Sequence, residues 1–589
     1  MTCPNIRRPN AMLTMGAIAS LAVTILCASA ATGEEFAPRV YQVQPSADLQ
    51  YRLQAILVQA VPGDVIEFSA GRFELRRQID IATDNITLRG QGPDETILSF
   101  QGQLSGGQGI ESTGDNFVVE RLAVEDTAGN AIKVLGARNV TFRDVRVEWT
   151  GPSKSTNGAY GLYPVQCSNV LIERCSAFGA SDSGIYVGQS RDVVVRHCRA
   201  ERNVAGIEIE NTLHAEVHDN VATNNAGGLL IFDLPGLQQK AGGKIRAYRN
   251  QAIANNHENF APAGNIVALV PAGTGVMIMA TDDVELFDND IQNNQTANIA
   301  RVSYLVSGKK ITDKQYDPVS EAISIHDNRV AGGGTKPGGA LGLQLLPFLG
   351  RSFPDILYDG VVADGAPGRD RHLSIQNNGQ ASFANFKLPD LTLQNVALGK
   401  YQAERELTAY ENPLPRLPET TLVPHDPPST TTDDAVVAYR TAPERLSEYG
   451  LFEGNGASQQ PAADVVPYTL NTTLFSDHTA KYRFIRLPGG QRMEYKDSGP
   501  LDFPDGTIIA KTFAYPHDRT NSSKGERLLE TRIELRRDGR WYGFAYQWND
   551  EQSDATLVLG GAALDVSWVH DDGAKITNHY EIPNPNQCL

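Results

Sequence analysis

Cysteine and positive charge are both scarce in this chain. Only six of its 589 residues are cysteines, too few and too scattered for the disulfide framework of a small secreted domain. Lysine and arginine together number 52 against 69 acidic residues, which gives a formal charge of −17. Nucleic acid is therefore excluded as an expected partner, because phosphate binding needs a basic surface.

Long hydrophobic runs are also missing after the N-terminus, so no transmembrane segment is expected. The one long apolar run follows two arginines and ends near Cys27, just before the small residues Ala28-Ser29-Ala30. This order is typical of a secretory signal peptide. We expect residues 1–30 to be a signal peptide cleaved near Ala30, and the mature protein to be periplasmic or secreted.

A repeated nine-residue segment organises the middle of the chain. Each copy alternates apolar and polar residues, which is the period of a β-strand, and the shortest spacings between copies are 22 and 23 residues. The copies begin at Asn116, Asn139, Asn169, Asp192, His214, Lys244, Asp283 and Ala322. The longer spacings are interpreted as loop insertions.

A second set of short strands lies between these copies, in sequences such as "GNAIKV", "SGIYVG", "AGIEIE" and "TGVMIM". Two strand types per repeat, with equivalent strands running in the same direction, exclude a helical solenoid and disfavour a stack of hairpins. The pattern predicts an all-β fold, a parallel β-helix in which each coil lies on the previous one at about 4.8 Å.

The seventh position of each repeat forms one column of the predicted stack. Its residues, in order, are Leu122, Val145, Cys175, Cys198, Asn220, Asn250, Asn289 and Asn328. Asparagine tolerates a left-handed backbone and hydrogen-bonds along a stack, so the column predicts an asparagine ladder in a turn. The two cysteines are one coil apart, which leaves both a small apolar core pair and a disulfide open.

Over roughly Val40 to Leu398, the chain resembles the right-handed parallel β-helix (pectin-lyase-like) superfamily. The stretch "PGDVIEFSAGRFELRRQIDI…NITLRGQG" from Pro62 to Gly92 resembles the entry coil of that fold. The amphipathic residues Ala47–Ala60 before it resemble the helix that caps the open end. A cap is physically required, because an exposed last coil would present unpaired strand edges.

The composition changes after the repeats, and three further divisions of the chain follow. We expect the β-helix domain to span 31–402, a Pro/Thr-rich linker to span 403–435, and a smaller β-rich domain to span 436–589. The last region resembles an uncharacterised exported bacterial family that often continues into a cytochrome c-type haem motif. Here "YEIPNPNQCL" ends at Cys588-Leu589, which puts a haem cofactor in doubt.

Candidate functional residues come from the second strand set. If Ile132, Leu162, Ile185 and Ile207 point inward, the residues that follow them point outward. Charged and phenolic groups then cluster over four coils, and Asp182 and Asp233 are further candidates for the carboxylates of a hydrolase. The candidate catalytic residues are Lys133, Tyr160, Tyr163, Tyr186, Glu208 and Glu210.

These residue types fit acid–base chemistry on a sugar ring. A uronan lyase or C5-epimerase needs a base at C5, an acid, and a group that neutralises the carboxylate. A tyrosine could be the acid or base, Lys133 could neutralise a uronate, and Glu208 could accept a proton. A glycosidase would instead need two carboxylates, for which Glu208 and Glu210 are about 7 Å apart by strand rise.

A motif around Tyr160 resembles that of the mannuronan C5-epimerases, which carry Tyr-Gly-Phe-Asp-Pro-His. This chain matches at Tyr160, Gly161 and Pro164, but Tyr163 and Val165 occupy the positions of the family's aspartate and histidine. The resemblance therefore covers the scaffold part of the motif only.

Two classes of function remain open, with a polysaccharide or glycan as the expected partner of both. The first is an exported lyase or epimerase, and the alternative is a non-catalytic β-helix that binds a glycan or another partner. An accessory role in periplasmic redox or metal handling is a weaker alternative. No cofactor or metal ligand is identified. Calcium is compatible with this chemistry, but no ligand set supports it, and the oligomeric state is not determined by the sequence.

Overall fold

The computed structural model describes residues 37–363, 373–392, 395, 398, 400–424, 438–472, 475–476 and 478–588. The expected signal peptide (1–30) and the last part of the expected linker (425–435) lie outside these residues. Within the described part of the chain, no helix is long and apolar enough to cross a membrane.

Within the part of the chain that the structure describes, two parallel sheets wind around an apolar core. In those residues, sheet I has twenty strands: Val40–Val43, Val65–Phe68, Gly71–Glu74, Thr87–Arg89, Thr96–Ser99, Val118–Glu125, Arg138–Glu148, Ser168–Glu173, Ser176–Phe178, Arg191–Arg196, Arg199–Glu201, Leu213–His218, Val221–Thr223, Gly243–Tyr248, Gln251–Ile253, Asp282–Phe287, Asp290–Gln292, Ile323–His326, Arg329–Ala331 and Leu373–Gln376. Sheet II has eleven strands: Arg77–Ile81, Ser105–Ser112, Asn130–Leu135, Tyr160–Val165, Ser183–Gly188, Ala205–Glu210, Gly227–Phe232, Thr274–Met279, Ala297–Val302, Ile356–Tyr358 and Phe383–Asn385. The predicted parallel β-helix is confirmed.

The register between coils follows the sequence repeat. Ile132, Leu162, Ile185 and Ile207 lie side by side in successive strands of sheet II, and all four are buried in the core between the sheets. The apolar residues that alternate along each strand therefore stack on their counterparts, which buries one continuous core through all the coils.

The predicted asparagine ladder is present at a bend within sheet I. The Nδ2 of Asn220 donates to Oδ1 of Asn250 at 3.0 Å, and the same bond repeats from Asn250 to Asn289 and from Asn289 to Asn328. The left-handed backbone that we expected at the ladder falls one residue earlier, for example at Asp219 with φ of 57°. The asparagine itself turns inward, where its side chain satisfies buried backbone groups.

The ladder is expected to contribute strongly to stability. Asn250 accepts from the backbone and side chain of Asn220 and donates to Val217 O and Asn289, so Asn250→Ala leaves several buried groups unpaired. We expect a loss of about 3 kcal/mol in the free energy of unfolding, measured by urea denaturation. The neighbouring exposed Gln251→Ala is the control and should change it by less than about 0.5 kcal/mol. Equal effects of the two variants would contradict this account.

The column changes character at its cysteines, which remain free thiols in the structure. Both Cys175 and Cys198 are buried, and the backbone N–H of Cys175 lies 3.4 Å from the Sγ of Cys198. Cys198 in turn donates its backbone N–H to Asn220 at 2.9 Å. The pair therefore continues the ladder as small core residues.

Helix α1 (Leu49–Val58) caps the first coil, as predicted. Its residues Leu49, Leu53 and Leu57 are buried in the core of the β-helix. A second helix, α2 (Gly339–Leu349), lies within a late insertion, and α3 (Pro585–Cys588) is at the C-terminal end of the described chain. Short 3-10 turns occupy Val267–Leu269, Tyr304–Ser307, Leu388–Asp390, Thr408–Tyr410, Leu446–Tyr449 and Ser522–Lys524.

The C-terminal region is β-rich, as predicted, and its strands are antiparallel. Sheet III comprises Val465–Pro467, Ala480–Arg486, Ile508–Pro516, Glu526–Arg537, Arg540–Trp548 and Ala555–Leu557, and a hairpin follows with strands Ala562–Val569 and Lys575–Ile582. The region packs against the capped end: Val58 of α1 joins its apolar core, and Arg77 pairs with Glu581 at 3.2 Å. The first coil is therefore covered both by α1 and by the C-terminal region.

The described part of the proline-rich segment runs along sheet I. The backbone N–H groups of Leu417 and Thr420 donate to Glu285 and Glu216 at 3.1 and 2.9 Å, and Val423 exchanges two bonds with the side chain of Asn169. These contacts hold at least the first half of the predicted linker on the β-helix.

Candidate functional site

The outer face of sheet II carries the predicted polar column. Tyr163 lies directly beside Lys133 in the register, and Tyr186 lies beside Glu208. Tyr163 and Tyr186 are themselves in contact, with ring centroids 5.0 Å apart. The outward phase inferred from the sequence is therefore the observed one, and it brings the candidates together over four adjacent coils.

Three tyrosine rings form the centre of the site. The ring of Tyr160 lies 4.5 Å from that of Tyr163 and 4.6 Å from that of Tyr186, centroid to centroid. Tyr186 is buried, whereas Tyr160 and Tyr163 are partly exposed. Only the last two can therefore reach a molecule bound at the surface.

Carboxyl groups lie beneath and beside these rings. Asp182 accepts a hydrogen bond from Asn265 and interacts with the Tyr160 hydroxyl. The Ser183 hydroxyl lies within hydrogen-bonding distance of both Asp182 and Glu208, and its one proton can be donated to either of them. Glu210 accepts a hydrogen bond of 2.6 Å from the Tyr186 hydroxyl. Asp233 accepts hydrogen bonds from the Thr281 hydroxyl and the backbone N–H of Gly242. We name Tyr160, Tyr163, Tyr186, Asp182, Glu208 and Glu210 together the acid–tyrosine cluster.

Burial raises the pKa values of these carboxyls towards neutral pH. It raises the pKa of Asp182 to about 6, that of Asp233 to about 6 and that of Glu210 to about 7. Glu208 is 2% exposed, and burial together with the charges of Asp182 and Glu210 raises its pKa well above its ordinary value. Burial and the neighbouring carboxylates also raise the pKa of Tyr160, so its hydroxyl is protonated at neutral pH.

The Glu210 carboxyl should make stability fall with rising pH. Its folded-state pKa of about 7 exceeds the ordinary 4.5, so its contribution is fully present below the ordinary value and is lost as pH rises through 7. We expect Glu210→Gln, which still accepts from Tyr186, to match the wild type near pH 4 and to exceed it by about 2–3 kcal/mol near pH 8. Urea unfolding at both pH values tests this. The exposed Glu406→Gln is the control, and a pH-independent gain for Glu210→Gln would contradict the assignment.

Lys133 is already paired in the structure. Its Nζ lies 2.7 Å from Oε1 of Glu111, a residue in the preceding strand of sheet II that the sequence did not single out. Glu111 lies beside Lys133 in the register. Extending the predicted outward column by one coil towards the N-terminus would have found it. A substrate carboxylate would have to compete with Glu111 for this ammonium group.

Insertions cover the remaining outer face of sheet II. The segments 254–273, 303–322 and 332–355 pack on outward residues such as Leu230 and Met277 and form a second apolar core outside the β-helix. They leave a cavity of about 440 Å³ between Phe232, Met277, Met279 and the first of these segments. Asn265, which contacts Asp182, belongs to that segment. The only sequence signal for this cover was the long spacing between the late repeats.

A metal centre is not evident in this site. Across the residues that the structure describes, no group of three or more His, Cys, Asp and Glu side chains is arranged to hold a metal ion. The arginines Arg191, Arg196, Arg199 and Arg202 all pair with carboxylates and do not converge.

Fold and family comparison agree on the class of this protein. The profile of the family described as "Right handed beta helix region" matches residues 96–237. With the parallel sheets described above, it makes the chain a right-handed parallel β-helix protein.

Comparison with individual proteins adds distant similarities. No curated protein sequence matches the chain. Among solved structures, it is similar to the A-module of the Azotobacter vinelandii mannuronan C-5 epimerase AlgE4, at 15% identity over 53% of this chain and 85% of that one, with a TM-score of 0.34. It is also similar to an alginate lyase from Paenibacillus sp. str. FPU-7, at 17% identity over 49% of this chain and 94% of that one, with a TM-score of 0.32. Function has to be inferred from the residues of the site themselves.

Proposed function

We propose that this protein acts on a polysaccharide by acid–base chemistry at a sugar ring, as a uronan lyase or C5-epimerase. The observation that carries the proposal is the acid–tyrosine cluster, where a partly exposed phenol touches a buried carboxyl of near-neutral pKa. General acids and bases work best when their pKa lies near the working pH, and shifted carboxyls of this kind concentrate at active sites.

Tyr160 is the group that exchanges a proton with the substrate. Tyr160 accepts the C5 proton while its own hydroxyl proton passes to the ionised carboxylate of Asp182, with which it interacts. In a lyase, the phenol then donates a proton to the leaving glycosidic oxygen as the C4–O bond breaks and the C4–C5 double bond forms, and Asp182 returns its proton to Tyr160. In an epimerase, water protonates C5 from the opposite face of the ring, and Asp182 gives its proton to the solvent. Tyr186 and Glu210 hold the ring of Tyr160 from below, since the Tyr186 hydroxyl is fixed on Glu210.

Substrate charge is the second element of the proposal. A uronate carboxylate placed near Tyr163 would lie beside Lys133, the cation of the column. Because the neighbouring carboxyls are negative when ionised, uronate binding is favoured where Glu210 is protonated, below about pH 7, whereas proton transfer to Asp182 needs its carboxylate, above about pH 6. Activity should therefore fall on the alkaline side.

The test is incubation of the full chain with alginate, pectate and neutral glycans over this pH range. Ultraviolet absorbance of the unsaturated uronate reports a lyase, and NMR of the polymer reports epimerisation. Products that the wild type forms from a uronan, and that the Tyr160→Phe variant does not form, would support the proposal. Release of reducing ends from neutral glycans alone would replace it with a glycosidase that uses Glu208 and Glu210.

A second candidate is a non-catalytic glycan-binding β-helix. It is favoured by the closure of the cluster, because Tyr186 is 4% and Glu208 is 2% exposed, and by the Lys133–Glu111 ion pair. The same incubation separates the two candidates. If a glycan binds but none of the polymers yields a product at any pH, the second candidate is supported and the first is rejected.

A further inference from the structure

A row of three cations crosses sheet III, far from the cluster in sequence. Arg483 lies directly opposite Lys511, and Lys511 lies directly opposite Arg532. Neighbouring strands are about 5 Å apart, and like charges directly opposite each other destabilise a sheet. We name these three residues the basic row. In a chain with a formal charge of −17, such a row calls for an explanation.

Carboxylates neutralise only one end of the basic row. Arg532 pairs with Glu530 through two hydrogen bonds of 3.0 and 2.7 Å. Among the described residues, no carboxylate forms a salt bridge with Arg483 or Lys511. The Lys511 ammonium instead lies 4.7 Å from the centre of the Phe513 ring, and partial burial together with the adjacent arginines lowers its pKa. Within the described chain, Arg483 and Lys511 therefore have no salt-bridge partner, and Lys511 interacts with the carboxyls of Glu534 and Glu530 only at a longer distance.

A pocket opens over the basic row. It has a volume of about 270 Å³ and is lined by all three cations together with Tyr468, Leu470 and Glu534. Gly543 lies opposite Glu534 on the next strand and has no side chain to fill the space. The pocket therefore combines cations, an aromatic ring and one hydrogen-bond acceptor in a space suited to one small polar ring.

We propose that this pocket binds the carboxylate of a uronate residue in an anionic polysaccharide, so that the C-terminal region holds the polymer on which the acid–tyrosine cluster acts. The planar guanidinium of Arg483 matches a carboxylate through two parallel bonds, and Lys511 adds a point charge. Glu534 accepts from a sugar hydroxyl, and Tyr468 packs on the apolar face of the ring. The choice of a uronate rests on the proposed function, whereas the anion site itself rests on the basic row.

The test uses the full chain and calorimetric titration with a uronate trisaccharide, a neutral trisaccharide and inorganic phosphate. We expect the uronate to bind, to bind more weakly at higher salt, and to lose at least about tenfold in affinity in Lys511→Gln and Arg483→Gln. Arg492→Gln, an exposed position in the same region, is the matched control and should stay within about twofold. Because Lys511→Gln removes repulsion, its melting temperature should equal or exceed that of the wild type.

The outcomes separate this inference from the proposed function. Binding that is lost in Lys511→Gln but kept in Tyr160→Phe supports the pocket whether or not the protein turns over any polymer. Equal uronate affinity of wild type and Lys511→Gln, or equal affinity for neutral and anionic sugars, would overturn it. Binding of phosphate without binding of the uronate would also overturn it, in favour of a general anion site.

Discussion

Tyr160→Phe is expected to lower turnover of the polysaccharide by about 100-fold or more. The substitution removes one hydroxyl and keeps the ring that packs between Tyr163 and Tyr186. Substrate affinity should change little, because the lost proton transfer belongs to the transition state and not to binding. Steady-state kinetics of the purified variant, with circular dichroism to confirm an intact fold, measure this effect.

A second variant distinguishes proton transfer from simple packing. Asp182→Asn keeps the hydrogen-bonding shape of the carboxyl but cannot hold the proton, so the rate should fall and the limb of its pH profile near pH 6 should disappear. Tyr495→Phe, at a tyrosine that is 76% exposed, serves as the control with an unchanged rate. Full activity of Tyr160→Phe would place the chemistry elsewhere on the β-helix.

Arg301→Met is expected to lower the free energy of unfolding by about 3–5 kcal/mol. Arg301 and Asp359 are both 0% exposed, with an Nη1–Oδ1 distance of 3.2 Å. The guanidinium also donates to the carbonyls of Val361 and Ser320 and lies over the Tyr358 ring. Without the guanidinium, the Asp359 carboxylate remains buried and has lost its counter-charge, which destabilises the folded state. Urea denaturation followed by circular dichroism measures the loss.

Two further variants test this explanation. Arg301→Met combined with Asp359→Asn should recover part of the stability, because it removes the charge that the single variant leaves unpaired. Arg199→Met breaks the exposed pair with Glu201 and should cost less than about 1 kcal/mol. A double variant as unstable as Arg301→Met alone would show that packing, rather than charge, sets the loss.

Local sequence pattern was enough to predict the coils. The alternation in segments such as that beginning at Asn169 sets which side chains enter the core, and a spacing of 22 or 23 residues sets the stacking. The outward column follows from the same rule, which predicts Tyr163, Tyr186 and Glu208 as neighbours. The position of the left-handed residue was missed by one, because the asparagine at the bend is needed for its side chain and not for its backbone.

Interactions between distant residues were beyond that pattern. Glu111 is an exception, because it lies one coil before Lys133 in the same outward column and extending the pattern would have found it. Asn265 is 83 residues from Asp182 and reaches it because an insertion folds over sheet II. The sequence gives no local signal for such a partner, because the length of an insertion does not show over which surface it folds.

The sequence alone determined a parallel β-helix, its ladder and the face on which phenols and carboxyls gather, because these follow from short-range periodicity. The right-handed winding and the cap were expected from the resemblance to the pectin-lyase-like superfamily. Only the tertiary structure decided which of the phenols and carboxyls are buried, how far the pKa of Asp182 and Glu210 rises, and that Arg483, Lys511 and Arg532 stand in one row. Burial and register depend on segments that meet from far apart in the chain, and desolvation, unlike periodicity, is a property of the packed molecule.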